Sequence, residues 1–177
     1  MRLAVAAALL VAATPALAGY DKTTWGMPLE QIQKLYPGGF VSRPESAGTV
    51  TYVFETRVAG THRAFVLFRL GSNDRLWDVT ILLAAQEGSF DPVHEKVSPM
   101  TETEALLVGA DIKGALSRKY GDGKRRLLVS GWEHHEWPVG KDTTATLFIS
   151  WLTSSVEKPH VAIAYSKAEP ADSTNGL

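Results

Sequence analysis

The sequence contains no cysteine among its 177 residues. This absence excludes disulfides, a cysteine nucleophile and a cysteine that could carry a lipid anchor. Concentrated positive charge is missing as well, because 18 Lys and Arg residues are spread along the chain and balanced by 19 Asp and Glu residues. Such a chain has little counterion-release affinity for nucleic-acid phosphates. We therefore expect no nucleic-acid partner, no lipid anchor and a core that is stable without covalent cross-links.

Long apolar runs are also rare, and the longest lies at the start of the chain. Residues 3–13 form an unbroken apolar run after Arg2, and Ala-Leu-Ala at 16–18 has the small-x-small pattern of a signal-peptidase site. The run is too short to span a bilayer, which needs about 20 residues. The pattern predicts that residues 1–18 are a cleaved signal peptide. It therefore predicts a periplasmic or secreted protein that starts near Gly19 and has no transmembrane segment.

A short first helix is predicted within residues 23–39. Pro28 suits the first helical position, and the charge of Glu30 complements the helix dipole in the first turn. Pro-Gly-Gly at 37–39 ends the helix, and Trp25 is expected to fix the chain that enters it. One apolar stripe follows from the three- and four-residue spacing of Leu29, Ile32, Leu35 and Tyr36.

Three strands are predicted next, because residues 50–58, 62–70 and 76–84 alternate between apolar and polar positions. The connections at 59–60 and 71–74 have turn composition and are short, so neighbouring strands must be antiparallel.

The side chains of this meander divide between two faces. Val66 and Phe68 are expected to face the helices, whereas Val53, Phe65 and Leu67 lie on the opposite face. That face also carries Arg57, Arg63 and Arg69. We expect it to be partly open and of mixed character, with Phe65 available to a partner.

The second half repeats this pattern after a long connection at residues 85–100. Thr101 and Glu104 have capping-box spacing and begin a longer helix that ends at Tyr120. Gly109 and Gly114 weaken this helix unless it approaches a sheet closely. Strand-like runs follow at 126–137, 143–151 and 160–165, and the tail at 167–177 is predicted to be disordered.

These elements predict an α+β fold in which an antiparallel sheet carries two helices on one face. We expect a single domain over residues 19–166, with halves at 19–84 and 100–166. Each half reads as one helix followed by three strands, which suggests a tandem helix-strand-strand-strand repeat.

A resemblance follows from residues 25–28, Trp-Gly-Met-Pro, and from the helix ends LYPGG at 35–39 and KYGDG at 119–123. With the exported start, the chain resembles uncharacterised bacterial periplasmic proteins. It also looks like the helix-plus-antiparallel-sheet class that includes the small outer-membrane assembly lipoprotein and the tandem-repeat β-lactamase inhibitor protein. The resemblance implies protein binding without catalysis and supplies no site residues. The chain departs from the lipoprotein members because it lacks their lipidated cysteine.

The most polar concentration is the stretch Trp-Glu-His-His-Glu-Trp at 132–137. In a strand, Glu133 and His135 share one face while His134 and Glu136 share the other, so each face presents one imidazole and one carboxylate. Such a pair is half of a zinc site, and a catalytic zinc would need a third ligand. The available histidines are His62, His94 and His160. The alternative is a solvated hairpin end, which we favour, and we therefore expect no metal and no cofactor.

Aromatic residues suggest recognition. Trp25 and Trp151 suit core packing, whereas the remaining three of the five tryptophans are free for a partner surface. The candidate binding residues are Phe65, Trp77, Trp132, His134, His135 and Trp137. The leading hypothesis is an exported, non-enzymatic binding or assembly module of the bacterial cell envelope that recognises a protein or peptide. The alternatives are a metal-dependent hydrolase that uses residues 133–136, and a small-ligand-binding periplasmic protein with a pocket between the second helix and the sheet.

Overall fold

The protein is described by a computed structural model that covers residues 20–43, 49–71, 73–85, 88–92, 94–128, 132–151 and 158–167. The predicted signal peptide at 1–18 lies outside the described residues, as does the predicted tail except for Lys167.

Two helices and ten strands make up this part of the chain. The helices are α1 (Leu29–Leu35) and α2 (Glu102–Tyr120). The strands of the first half are β1 (Phe40–Ser42), β2 (Val50–Val58), β3 (His62–Leu70), β4 (Leu76–Leu83), β5 (Phe90–Asp91) and β6 (Lys96–Val97). Those of the second half are β7 (Lys124–Leu128), β8 (Trp132–Pro138), β9 (Thr143–Ser150) and β10 (His160–Lys167).

Eight of these strands form one antiparallel sheet in the order β1-β2-β3-β4-β10-β9-β8-β7, and β5 pairs with β6 in a separate hairpin. The predicted α+β class with an antiparallel sheet is therefore confirmed, although the chain contains more strand than helix. The run predicted at 126–137 is two strands, β7 and β8. Strand β10 extends to Lys167, which the sequence assigned to the tail.

Both helices pack on the same face of the sheet. Ile32 from α1 and Ile112 from α2 are fully buried in one apolar cluster, together with alternate residues of the strands. The strand members of this core include Val66, Phe68, Val79, Ile81, Leu83, Leu147 and Ile163. No helix in the described ranges is long and apolar enough to cross a membrane.

Helix α2 begins with the predicted capping box. The backbone N–H of Glu104 donates to the Thr101 hydroxyl at 3.2 Å, and the backbone N–H of Thr101 donates to the Glu104 carboxylate at 3.3 Å. Gly109 lies where this helix approaches the sheet, since a Cβ there would meet Ile149 Cδ1 at 2.6 Å. The close approach expected for an internal glycine is therefore present at Gly109.

The opposite face of the sheet is covered in the first half, which corrects the expectation of an open face around Phe65. Val53, Phe65 and Leu67 form a second buried cluster beneath Phe90 and Val97 of the β5-β6 hairpin. Phe65 is only 5% exposed, and its ring stacks on that of Phe90 at a centroid distance of 4.9 Å. This hairpin falls in the segment that was predicted to be a plain connection.

An ion-pair network holds the hairpin in place. Arg69 on β3 lies 2.6 Å from Asp78 of β4 and 3.1 Å from Glu95, which immediately precedes β6. Of the three arginines that were expected to be accessible on this face, Arg69 is therefore engaged in ion pairs within the protein.

Candidate functional site

The six residues proposed from the sequence do not form one surface. Trp77, near the start of β4, is 53% exposed, and Trp132 is half-buried with its ring 5.2 Å from that of His160. Phe65, His134, His135 and Trp137 are buried. Of these candidates, Trp77 is therefore the most exposed and the most available to a partner.

Trp137 belongs to the core for a clear reason. Its indole N–H donates to the Gly121 carbonyl at 3.0 Å, and its ring lies against Gly123, where any side chain would collide with it. The Gly-Asp-Gly sequence after α2 therefore packs against the buried side chain of Trp137. Trp137 has no surface from which to recognise a partner in this conformation.

The predicted alternation in β8 is present. Glu133 and His135 lie on the helix-packed face, where His135 is hydrogen-bonded to Glu133 and stacks on Trp137 at 5.8 Å. Arg125 lies 3.1 Å from the Glu133 carboxylate. Burial by itself raises the pKa of Glu133, but the hydrogen bond with His135 and the charges of His135, Arg125 and Lys113 outweigh it, so this pKa lies below its ordinary value.

His134 and Glu136 lie on the other face. Both ring nitrogens of His134 are buried and find no hydrogen-bond partner among the described residues, and Nε2 is 3.7 Å from the Glu136 carboxylate. The ring packs edge-on against Phe148, and Glu136 also pairs with Arg126 at 3.2 Å. Each imidazole of the stretch therefore lies beside a carboxylate on its own face, and of the two His135 is hydrogen-bonded to it.

The other histidines do not bring a third ligand to either pair. His62 pairs with Asp111 at 3.1 Å, His94 pairs with Asp91 at 2.7 Å, and His160 packs on Trp132. No group of three or more His, Cys, Asp or Glu residues that could hold a metal ion is found where the structure is described.

Trp77 lines a groove of about 510 Å³, which we call the tryptophan groove. It is formed by Trp25, Gly26, Gly71, Asn73, Arg75, Leu76, Trp77 and Lys167. These residues come from the segment before α1, from the β3-β4 turn together with the start of β4, and from the end of β10. The groove therefore depends on three parts of the chain that are distant in sequence.

Backbone pairing fixes the wall of this groove. The N–H of Gly26 donates to the Leu76 carbonyl at 2.8 Å, and the N–H of Leu76 donates to the Met27 carbonyl at 3.0 Å. The Trp25 indole N–H donates to the Thr143 hydroxyl at 3.0 Å, which ties the first tryptophan to β9. Trp25 thus fixes the entering chain, as expected from the sequence, and also lines the groove.

The side chains of the groove combine aromatic surface with positive charge. Arg75 and Lys167 are exposed, and no carboxylate lines the groove among the described residues. Sequence reasoning identified Trp77 but not Arg75 or Lys167. Isolated cations beside a turn and at the end of a strand form no sequence motif that would predict a site. They come next to the two indoles only in the folded structure.

A second cavity, of about 700 Å³, lies between the first half of α2 and the turn that joins β2 to β3. Its walls carry charged side chains, including Arg57, His62, Arg63, Glu104 and Asp111. Several of these are already paired: His62 with Asp111, and Arg63 with Glu55 at 2.6 Å. This cavity lies where the small-ligand alternative expected a pocket, between the second helix and the sheet.

Comparison of the chain with protein-family models, with curated proteins and with solved structures finds no significant match.

Proposed function

We propose that this chain is an exported, non-enzymatic binding module of the bacterial cell envelope, which recognises a protein or peptide through the tryptophan groove. The observation that carries the proposal is the exposure of Trp77, at 53%, beside a second tryptophan in a concave site. Tryptophan is enriched among the residues that dominate binding energy at protein interfaces. Concave sites that are lined by aromatic and apolar side chains with a few polar groups are typical of binding sites.

Export is the part of this proposal that rests on the sequence. The apolar run at 3–13 and the Ala-Leu-Ala at 16–18 support removal of a signal peptide. N-terminal sequencing of protein recovered from the periplasmic or secreted fraction tests it. We expect Gly19 or a near neighbour at the N-terminus, and an intact Met1 on the abundant species would contradict export.

Binding is tested by affinity capture from an envelope fraction with wild-type protein and two variants. Trp77→Ala removes the exposed indole, whereas Leu106→Ala removes a similarly exposed apolar side chain on α2, away from the groove. We expect a protein that wild type and Leu106→Ala retain equally and that Trp77→Ala loses. A partner retained equally by all three would contradict binding at the groove.

We also propose that the two halves are a tandem repeat. In support, α1 is followed in the main sheet by β1 to β4 and α2 by β7 to β10, and the last strands of the two halves, β4 and β10, are neighbours. Each half would then contribute four strands rather than the three expected from the sequence.

Binding of a small ligand is a second candidate, favoured by the cavity of about 700 Å³ beside α2. Cavities of this size accommodate small molecules. The expected result, if this candidate is right, is a small molecule that co-purifies with wild-type protein and is lost on Leu107→Trp. Leu107 is exposed and lines this cavity, so the larger side chain would fill it without disturbing the core.

The metal-dependent hydrolase remains the contrary class. Metal analysis of protein purified without chelator distinguishes it from a binding module. Stoichiometric zinc that is lost on His135→Ala would favour the hydrolase and would contradict our proposal.

A further inference from the structure

We propose that the tryptophan groove binds an acidic, extended peptide segment, with an apolar side chain against Trp77 and a carboxylate beside Arg75 and Lys167. This inference deepens the proposed function and rests on it. It specifies the chemistry of the partner, which the exposure of Trp77 alone does not.

The first argument is that the two cations of the groove, Arg75 and Lys167, are not neutralised by an ion pair within the described residues. Arg63, Arg69, Arg125 and Arg126 each lie within 3.2 Å of a carboxylate oxygen. Arg75 and Lys167, like several other exposed cations, form no ion pair within the described part of the chain, and these two lie beside the indoles of the groove. Among the described residues, the guanidinium of Arg75 donates only to the Gly26 carbonyl, at 3.3 Å, and this contact holds it at the groove.

The second argument is that nearby carboxylates do not neutralise the groove. Asp78 follows Trp77 in the chain but points to the opposite face of the sheet, where it pairs with Arg69 at 2.6 Å. Asp74 is exposed in the turn and is not part of the groove lining. The described lining therefore combines two cations and one neutral amide with apolar surface and contains no carboxylate, which complements a carboxylate that sits next to an apolar side chain.

The third argument concerns the form of the partner. A surface groove of about 510 Å³ accepts a few side chains, and its wall is the short backbone pairing of residues 26–28 with 75–76. Gly26 adjoins open space in the groove, because a Cβ there would meet nothing within 4 Å, whereas a Cβ at Gly71 would already lie 3.6 Å from Trp77 Cδ1. An extended segment that lays one apolar and one acidic side chain into this space fits better than a flat protein surface.

Aromatic rings with nearby cations are also typical of sites for single-stranded nucleic acid. Such sites use a continuous basic path along the backbone, whereas the described lining of the groove offers two cations and the whole chain has a net charge of −1. The acidic peptide is therefore the partner that the charges favour.

The test is selection of a random dodecapeptide phage library on the immobilised protein, followed by affinity measurement with synthetic copies of the enriched peptides. We expect enriched peptides to carry Asp or Glu next to Trp, Phe or Leu. Trp77→Ala should weaken their binding at least about 30-fold, as for an interface hot spot. Arg75→Glu and Lys167→Glu should each weaken it about tenfold.

Lys124→Glu is the matched control, because Lys124 is an exposed cation on β7 at the far edge of the sheet. It should leave the affinity unchanged. Lys167→Glu changes an exposed position at the end of β10, so it remains informative if Trp77→Ala fails to fold.

The outcomes separate this inference from the proposed function. Peptides that depend on Trp77 but show no acidic preference, and that bind both charge-reversal variants normally, would overturn the inference and leave the proposed function standing. Failure to select any peptide that depends on Trp77 would overturn the inference, whereas the proposed function is overturned only if the affinity capture also finds no partner that Trp77→Ala loses. If oligothymidylate binds more tightly than any selected peptide and with the same dependence on Trp77, the inference of a peptide partner is wrong and the groove binds nucleic acid.

Discussion

Two glycines in one helix illustrate how single residues set the packing of this protein. A Cβ at Gly109 would lie 2.6 to 3.0 Å from three carbon atoms of Ile149, whereas a Cβ at Gly114 would meet only the flexible end of Arg118, at 3.4 Å. We expect Gly109→Ala to destabilise the protein by about 1–3 kcal/mol, because it overpacks the core. Gly114→Ala should stabilise it by up to about 1 kcal/mol through helix propensity. Chemical denaturation of both variants measures this, and equal effects would show that α2 does not approach β9 closely.

The carboxylate of Glu133 gives a prediction about pH. Its pKa is lower in the folded protein than its ordinary value of 4.5, so its ionised form stabilises the fold. This stabilisation is fully present above the pKa of the unfolded chain and is lost as the pH falls through the lowered folded pKa. We expect Glu133→Gln to lower the free energy of unfolding at pH 7 and to make the loss of stability in acid shallower.

Glu55→Gln is the control for this experiment. Glu55 also pairs with an arginine, Arg63, and its pKa is also lowered, chiefly by their hydrogen bond, but its side chain is half exposed. Solvent screening makes such a pair worth little. Denaturation midpoints measured across acidic and neutral pH should therefore change less for Glu55→Gln than for Glu133→Gln. A larger change for Glu55→Gln would contradict the assignment of the stabilising pair to β8.

At the scale of residues, the alternation of apolar and polar residues along a strand correctly predicted which side chains share a face of the sheet. It did not predict whether other segments of the chain cover that face. His134 and His135 lie on opposite faces of β8, as predicted, and both are buried. Phe65 and Trp137 were proposed as binding residues and are also buried, because Phe90 covers one and the Gly-Asp-Gly loop covers the other. The segments that bury these two side chains are distant from them in sequence, so the residues around Phe65 and Trp137 contain no pattern that predicts the burial.

The β5-β6 hairpin leads to a prediction at the scale of elements. It covers the face that carries Phe65 and makes it a second core, so Phe65→Asp should unfold the protein, as should Phe68→Asp in the first core. An unpaired buried charge costs about 3–5 kcal/mol, which is a large part of a typical stability of about 5–15 kcal/mol. Phe40→Asp on the edge strand β1 is the control, since Phe40 is 45% exposed and should tolerate the charge. Thermal melts compare the three variants, and a stable Phe65→Asp would show that the hairpin does not close this face.

Longer helices and strands were predicted more accurately than shorter ones. The long strands β2, β3, β4, β9 and β10 and the capped helix α2 were predicted close to their observed bounds, since each contains several periods of its pattern. Strands β1, β5 and β6, of two or three residues each, were missed because such segments are too short to show periodicity. The division of the run at 126–137 into β7 and β8 was also missed, although Ser130 and Gly131 between them have turn composition.

For the whole molecule, the main question is whether the two halves depend on each other. They share a sheet in which β4 pairs with β10, for example Ile81 opposite Ile163. They are also joined by the Trp25 to Thr143 hydrogen bond and by a contact between the rings of Tyr20 and Tyr165, whose centroids are 6.1 Å apart. The sequence suggested two similar halves, but it contained no signal for which strands would meet at the centre of the sheet.

These contacts predict that the halves fold as one unit. A shortened chain of residues 19–100 ends β4 at an open edge and loses the apolar cover that α2 and β10 give to the shared core. We expect this half to show no cooperative thermal transition in circular dichroism. The chain of residues 19–177 should unfold in a single transition, with coincident midpoints by circular dichroism and tryptophan fluorescence. Adding residues 101–177 as a separate chain should restore a cooperative transition, because it supplies the missing neighbour of β4. A shortened chain that melts cooperatively by itself, or two separate transitions in the longer chain, would contradict the prediction and would identify the halves as independent domains.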